Sequence, residues 1–451
     1  MSDDTPRPDD EQPSETEQPS DGTRHDDGSD GSPAPGEPET STLTVDEDSA
    51  AEIEAARERE RAAESVELGA TIGQRFVQAV TGMSLVITLL SIVSALVIGA
   101  FVIAFSDDAT REALSYFGAR PSDTFATAWA AVSGAYASMF RGAFAGAGPV
   151  SETLVAATPL ILTGLAVAVP LRTGLFNIGG EGQMVAGGTV AGFLGFWLVG
   201  LPFVIHLPLA LLAGALAGAL YGWLPGILKA RTGAHEVIST IMLNNIALLV
   251  LTFVLSTELF RREGRVDPIS KDIQDSALLP QFVEGFRVNI GLLLALALAA
   301  AIFWMMERST IGFELNAVGL NPSAAATAGM NPGRSIVTSM TTGGMLAGVA
   351  GATVILGVQG RITDGFSAGL GFEGITVALL GRGGVGGTVA AGLLFGSMRS
   401  GGRLMQAETG IALDLVLVLQ ALIIVFIAAP GLVRAIFRIK TDGRAGQISK
   451  G

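Results

Sequence analysis

Residues 174–183 read GLFNIGGEGQ and set Asn177, Glu181 and Gln183 among glycines between two long apolar runs. Polar groups so placed need a cavity or a partner. An ionisable side chain at membrane depth is a functional candidate, because hydrocarbon charges heavily for it. Glycine weakens a helix, and a broken helix offers backbone groups to a solute path. The competing reading is an ordinary turn between the runs, with Glu181 pairing Arg172. Residues 235–247, HEVISTIMLNNIA, open another apolar run and carry the adjacent amides Asn244 and Asn245. Such amides either hydrogen-bond between helices or line a path, and the residue types alone leave both open.

A different kind of chemistry is written in residues 307–334. Asn321 and Pro322 are a helix start, Ser323, Ala324 and Ala325 begin a run of small helix-compatible residues, and Gly329 with Asn331-Pro332 is a stop. One or two turns of smooth-surfaced helix are expected there, standing between two long apolar runs. A mere connection would not need that shape, so the stretch reads as a docking knob for a soluble partner.

Enzyme chemistry finds no support. Residues 381–388, GRGGVGGT, follow the spacing of a phosphate-binding loop but have Gly387 where the lysine should reach the phosphates. The same stretch and residues 369–374 satisfy G-x-G-x-x-G. With 59 glycines in 451 residues, about one such match arises by chance. There is no cysteine and there are three histidines, so thiolate chemistry is excluded and little remains for a metal cage. No catalytic or metal-ligating residue is assigned, and no cofactor is expected in the chain.

The elements that must position these groups are apolar helices. Residues AVILMFWYC make up 49% of the chain and only 16% are charged, well below the roughly 25% of soluble domains. Ten stretches approach the roughly 20 residues that a helix needs to cross a bilayer: 83–105, 152–170, 183–201, 207–228, 236–256, 288–306, 335–358, 366–381, 385–402 and 411–429. The fold class is therefore all-α and polytopic. The eighth and ninth stretches are short and glycine-rich, and either can be a re-entrant half-helix. Residues 125–144 are less apolar, interrupted by Gly134 and closed by Arg141, which suits an interfacial helix rather than an eleventh span. The string GGTVA at 187–191 and 386–390 is attributed to chance among small residues.

The net charge of −14 belongs to one end. Residues 1–67 hold 22 Asp/Glu against 5 Lys/Arg and have little to bury, so a disordered acidic tail with a short charged helix at 51–68 is expected. A membrane domain over 68–440 and a tail over 441–451 complete the chain. Arg172, Lys229, Arg231, Arg308 and Arg382 fall in alternate short loops, joined by Arg434, Arg438 and Lys440. The positive-inside rule puts them, and both termini, in the cytoplasm and the loop 257–287 outside.

At these residues the sequence resembles the inner-membrane permease subunits of ATP-binding cassette importers, in the family of ribose and nucleoside permeases. The likeness spans residues 153–430. It rests on TPLILTGLAVAVPLRTGLFNIGGEGQ (158–183), HEVISTIMLNN (235–245), AVGLNPSAAATAGMN (317–331) and GFEGITVALLGRGGVGGTVAAGLLFG (371–396). It implies a ten-helix fold and a path for a nucleoside or simple sugar across the cytoplasmic membrane. Asn177, Glu181, Gln183, Asn244, Asn245 and Glu373 are placed along that path. The implied coupling helix covers 321–329, with Asn321, Pro322, Ser323, Ala324, Ala325 and Gly329 as docking residues. Its implied partners are a cytoplasmic ATPase that binds the ATP, a second homologous permease and an extracytoplasmic solute-binding protein. Membrane lipid surrounds it and no nucleic acid is expected. Branched-chain amino acids remain as alternative cargo, and an ion-coupled secondary transporter as an alternative class.

Overall fold

In hydrocarbon no water is available to satisfy backbone groups, so each apolar run must close its own hydrogen bonds as a helix. The computed structural model describes residues 83–437. Contacts divide the chain into Met1–Arg75 and Phe76–Gly451, and the described residues lie in the second unit. The acidic tail, the charged helix at 51–68, Arg438, Lys440 and 441–451 are outside the described residues.

Helix α1 (Met83–Ser106) and the short α2 (Asp108–Ser115) lead to α3 (Pro121–Phe144), α4 (Ala147–Arg172), α5 (Gly180–Trp197), α6 (Phe203–Thr232) and α7 (Glu236–Ser256). After a long loop come α8 (Gly291–Arg308), α9 (Thr310–Leu320), α10 (Pro322–Thr327) and α11 (Pro332–Val354). Helix α11 continues into a π turn, Ile355–Gln359, and is followed by α12 (Leu370–Leu380), α13 (Val385–Thr409), α14 (Asp414–Ala428) and α15 (Pro430–Ile436). Every one of the ten expected stretches contains a helix. Six helices among the described residues, α1, α4, α6, α7, α8 and α11, are long and apolar enough to cross a membrane.

Two of them form the centre. Along α4 the residues from Ala157 to Pro170 are all buried, and α11 is buried over most of its length. Each packs through backbone. Gly214, Gly218 and Gly222 of α6 recur every four residues, which puts them on one helix face. They lie against Gly344 and Gly348 of α11, so a Cβ on Gly218 would come within 2.6 Å of the Gly348 Cα. Likewise Gly392 and Gly396 of α13 lie on Ile161 and Ala157 of α4. Small residues give the close approach from which membrane helices gain their packing energy.

The ends sort themselves. Arg172 Nε donates to the Gly383 carbonyl at 3.0 Å, Gly319 rests on the Arg172 backbone, Gly333 adjoins Ala230, and Lys229 pairs with Glu236 at 2.6 Å. The basic short loops thus gather at one end of the bundle, with α9 and α10. At the other end the loop 257–290 is stitched to the fold through Ser270 N to Ile362 O (2.9 Å), Gln274 N to Gly195 O (2.9 Å) and Leu279 N to Leu356 O (2.9 Å).

Two expectations are corrected. Stretch nine is no half-helix, since α13 runs 25 residues. Stretch eight is not re-entrant either but a broken crossing: α12 has 11 residues, about 16 Å at 1.5 Å per residue, and residues 361–369 make the rest of the traverse without helix. Helix α3 is unbroken for 24 residues, so Gly134 does not interrupt it, and it ends at Phe144 with Arg141 in its last turn. A lone glycine costs a helix only about 1 kcal/mol, which the flanking alanines tolerate, and Arg141 is paired with Glu408 of α13 at 2.7 Å. The helix docks on α13, where Gly142 meets Gly401 and Leu404. The two GGTVA strings fall in the middle of α5 and at the start of α13, positions without structural equivalence.

Candidate functional site

After Arg172 the chain does not leave the bundle. It turns back, with Leu175 N donating to Pro170 O at 3.0 Å and Asn177 Nδ2 to Ala166 O at 3.1 Å, so Asn177 sits about 9 Å up from the end of α4. Helix α5 therefore starts inside the protein at Gly180. From the opposite end, residues 361–369 descend until α12 starts at Leu370. The two half-way helix starts meet: Gly180 and Gly371 are in backbone contact, and a side chain on either would strike the other.

Glu181 ties them. It is 3% exposed, and its carboxylate accepts from Ser367 Oγ at 2.5 Å and from Gly371 N at 2.8 Å. A helix N-terminus has unpaired N–H groups and carries roughly half a positive charge, so a carboxylate belongs there. Arg172 is not its partner. Asn177 and Gln183 face each other as reciprocal amides, with Asn177 Nδ2 donating to Gln183 Oε1 at 3.0 Å and Gln183 Nε2 to Asn177 Oδ1 at 3.1 Å. Asn177 Oδ1 also accepts from Gly179 N at 3.1 Å. Asn244 supplies the start of α5 from a third helix, accepting from Gly182 N at 2.9 Å and donating to Ile178 O at 3.0 Å.

Asn177, Glu181, Gln183 and Asn244 are thus brought together as one buried, hydrogen-bonded knot. Asn245 is not part of it. About 100° around α7 from Asn244, it is exposed and donates to its own helix at Ile241 O, 3.1 Å away. Glu373 lies in the first turn of α12. Its Oε1 accepts from Arg399 Nη1 at 2.7 Å, and its buried Oε2 has no hydrogen-bond partner.

Sequence reasoning missed Ser367 and Arg399, the partners of Glu181 and Glu373. The repeated G-x-E-G, at 179–182 and 371–374, marks the two half-way helix starts but contains neither partner.

Helix α10 has the expected caps. Asn321 Oδ1 accepts from Ser323 N at 3.1 Å and Ala324 N at 3.0 Å, Pro322 stands at the first position, and Gly329 ends the helix at φ +88°, where glycine is the undemanding residue. Ala325 is 4% exposed and faces the fold, while Ser323, Ala324, Ala326 and Thr327 are exposed.

Central helices packed through glycine, two crossings broken at mid-depth and a capped helix standing out at the basic end define a multi-pass membrane permease. The chain belongs to the family described as branched-chain amino acid transport system / permease component, which residues 150–428 match. It is similar to the guanosine ABC transporter permease protein NupP of Bacillus subtilis, at 41% identity over 69% of this chain and 90% of that one. A nucleoside ABC transporter permease of Lactococcus lactis is 36% identical over 65% of this chain and 82% of its own length. A glucose ABC transporter permease of Haloferax volcanii is 36% identical over 65% and 79%. No solved structure matches the chain.

The protein is accordingly a permease subunit of an ATP-binding cassette importer in the cell membrane, not an enzyme, and the family works with an ATPase and a solute-binding protein. The ion-coupled alternative falls with this membership.

Proposed function

We propose that the chain forms, with a second homologous permease, the path by which a nucleoside enters the cell, with a simple sugar as the second choice of cargo. The observation that carries the mechanism is α10: six capped residues with a smooth exposed face, at the end where the basic loops gather. That end is cytoplasmic in this reading, as are both termini, and the tail 1–67 and residues 441–451 flank the membrane domain. An ATPase groove receives α10, and its motion passes into α11 through the short link 328–331. The polar knot of Asn177, Glu181, Gln183 and Asn244 braces the path at mid-depth, with Glu373 and Asn245 beside it. Such intramembrane polar groups mark solute pathways in other permeases. Cargo follows the names of the relatives, while the family description keeps branched-chain amino acids as a second reading.

The test is purification of the assembled complex and ATP-driven uptake in proteoliposomes. Guanosine accumulation that needs ATP, a co-purifying ATPase and a second permease is expected. Uptake of leucine in place of guanosine and glucose would turn the cargo assignment over.

A further inference from the structure

At the end of the bundle opposite α10 lies a cavity of about 290 Å3, bounded by α4, the π turn, residues 366–370 and α13. This is near the lower end of the roughly 300–1,000 Å3 of small-molecule pockets. Its walls are apolar except for Arg287, Gln359, Arg399 and Arg403. Three guanidiniums around one cavity repel each other unless carboxylates stand behind them. Glu152 lies 3.1 Å from Arg287 and 3.5 Å from Arg403, and Glu373 lies 2.7 Å from Arg399. One positive charge is left over. Among the described residues Arg399 makes one side-chain hydrogen bond, through Nη1 to Glu373, and a guanidinium has five donors to give.

A second observation is independent of charge. Ala368, on the cavity wall, has φ +46°, a left-handed conformation that a side chain resists. Strain of this kind gathers at ligand sites, where the surroundings enforce it.

We propose that this cavity is the permease's own contact site for its cargo, and that Arg399 and Arg403 donate hydrogen bonds to acceptor atoms of a neutral nucleoside whose faces rest on the apolar walls. The inference rests on the uptake function proposed above. Carboxylates close behind the arginines hold the surplus to one charge, which suits an electron-rich neutral ring rather than a phosphate dianion. Two parts of a nucleoside offer acceptors, the ribose hydroxyls and the purine N7.

The experiment uses the complete reconstituted transporter with its own binding protein and ATPase. Initial uptake is measured for guanosine, 2′,3′-dideoxyguanosine and 7-deazaguanosine, and each analogue is expressed as a ratio to guanosine. The preference of the binding protein is common to wild type and variant, so it cancels when the ratios are compared. Arg399→Lys and Arg403→Gln should shrink the discrimination against one analogue by about 3- to 10-fold, the worth of one hydrogen bond, and the analogue affected shows which end of the nucleoside meets the arginines. Both ratios unchanged, whatever the absolute rates, overturns the site. If the wild-type transporter moves no nucleoside, the uptake function fails and takes the site with it, a result separable from unchanged ratios. Should the arginine variants not assemble, Val358→Cys in this otherwise cysteine-free chain gives a second reading. Guanosine should slow its modification by a thiol reagent in the assembled transporter, and an unprotected cysteine refutes the proposal.

Discussion

Replacing Glu181 tests whether the two broken crossings are held together by one carboxylate. In the wild type its oxygens receive Ser367 Oγ at 2.5 Å and Gly371 N at 2.8 Å, and Ser367 is 1% exposed. Glu181→Ala removes both acceptors and leaves two buried donors unpaired, at about 1–3 kcal/mol each, or about 2–6 kcal/mol together. Glu181→Gln keeps the shape. Its amide oxygen can take the Gly371 N–H and its nitrogen can donate to the Ser367 hydroxyl, so it forfeits mainly the charge assistance, about 1–2 kcal/mol. Ser367→Ala should cost about 1 kcal/mol in the wild type and less in the Gln background, a coupling that a double-mutant cycle reads directly. Thermal unfolding of the assembled transporter in detergent should rank wild type, Gln and Ala in falling order. Uptake should fall in the same order, because the knot fixes where α12 begins. If all three melt together and the cycle shows no coupling, Glu181 is not the tie and the junction rests on helix packing.

The adjacent amides of α7 should part company. Asn244→Ala strips partners from Gly182 N and Ile178 O and should cost about 1–3 kcal/mol, whereas Asn245→Ala should stay within about 0.5 kcal/mol, both read by thermal unfolding. On α10, Ala325→Trp should destabilise the permease itself by about 1–3 kcal/mol, because Ala325 faces the fold. Ala324→Trp should leave its melting unchanged and abolish the stimulation of ATP hydrolysis by loaded binding protein; normal stimulation would make α10 an ordinary connection. For topology, Val266 is 94% exposed whereas Ser270 is fully buried, so Val266→Cys and Arg231→Cys make the informative pair. An impermeant thiol reagent applied to intact cells should label the first and spare the second, and the reverse pattern would invert the orientation.

What could be read from the residues is mostly local. Ten apolar stretches announce themselves because hydrocarbon thickness sets a length, and the caps of α10 are written within nine residues, Asn321 to Gly329. The tie between Glu181 and Gly371 spans 190 positions, and no periodicity reaches across them. The inward turn of Asn244 was hidden for another reason. In a soluble helix the apolar stripe marks the buried side, but lipid is as apolar as the core, so α7 carries leucine and isoleucine on both faces. The docking of α3 on α13 was hidden as the Glu181 tie was, because its Arg141 meets Glu408 across 267 positions.

The glycine seam between α6 and α11 says where this fold can bend. Two helices whose Cα atoms nearly touch cannot slip past each other by part of a turn, since each glycine would ride onto the next residue's side chain. They therefore turn as one plate, and α4 with α13, joined through Gly392 and Gly396, as another, the two meeting where Gly343 of α11 lies on the Ala166 carbonyl of α4. Rotation between the plates has to be taken up where no helical ladder must break, and among the described residues two such stretches lie within the bundle, 173–179 and 361–369. Because α10 is joined to the start of α11, a push delivered there would swing the first plate about those two unwound stretches. A disulfide fastening residues 173–179 to α11 should arrest transport.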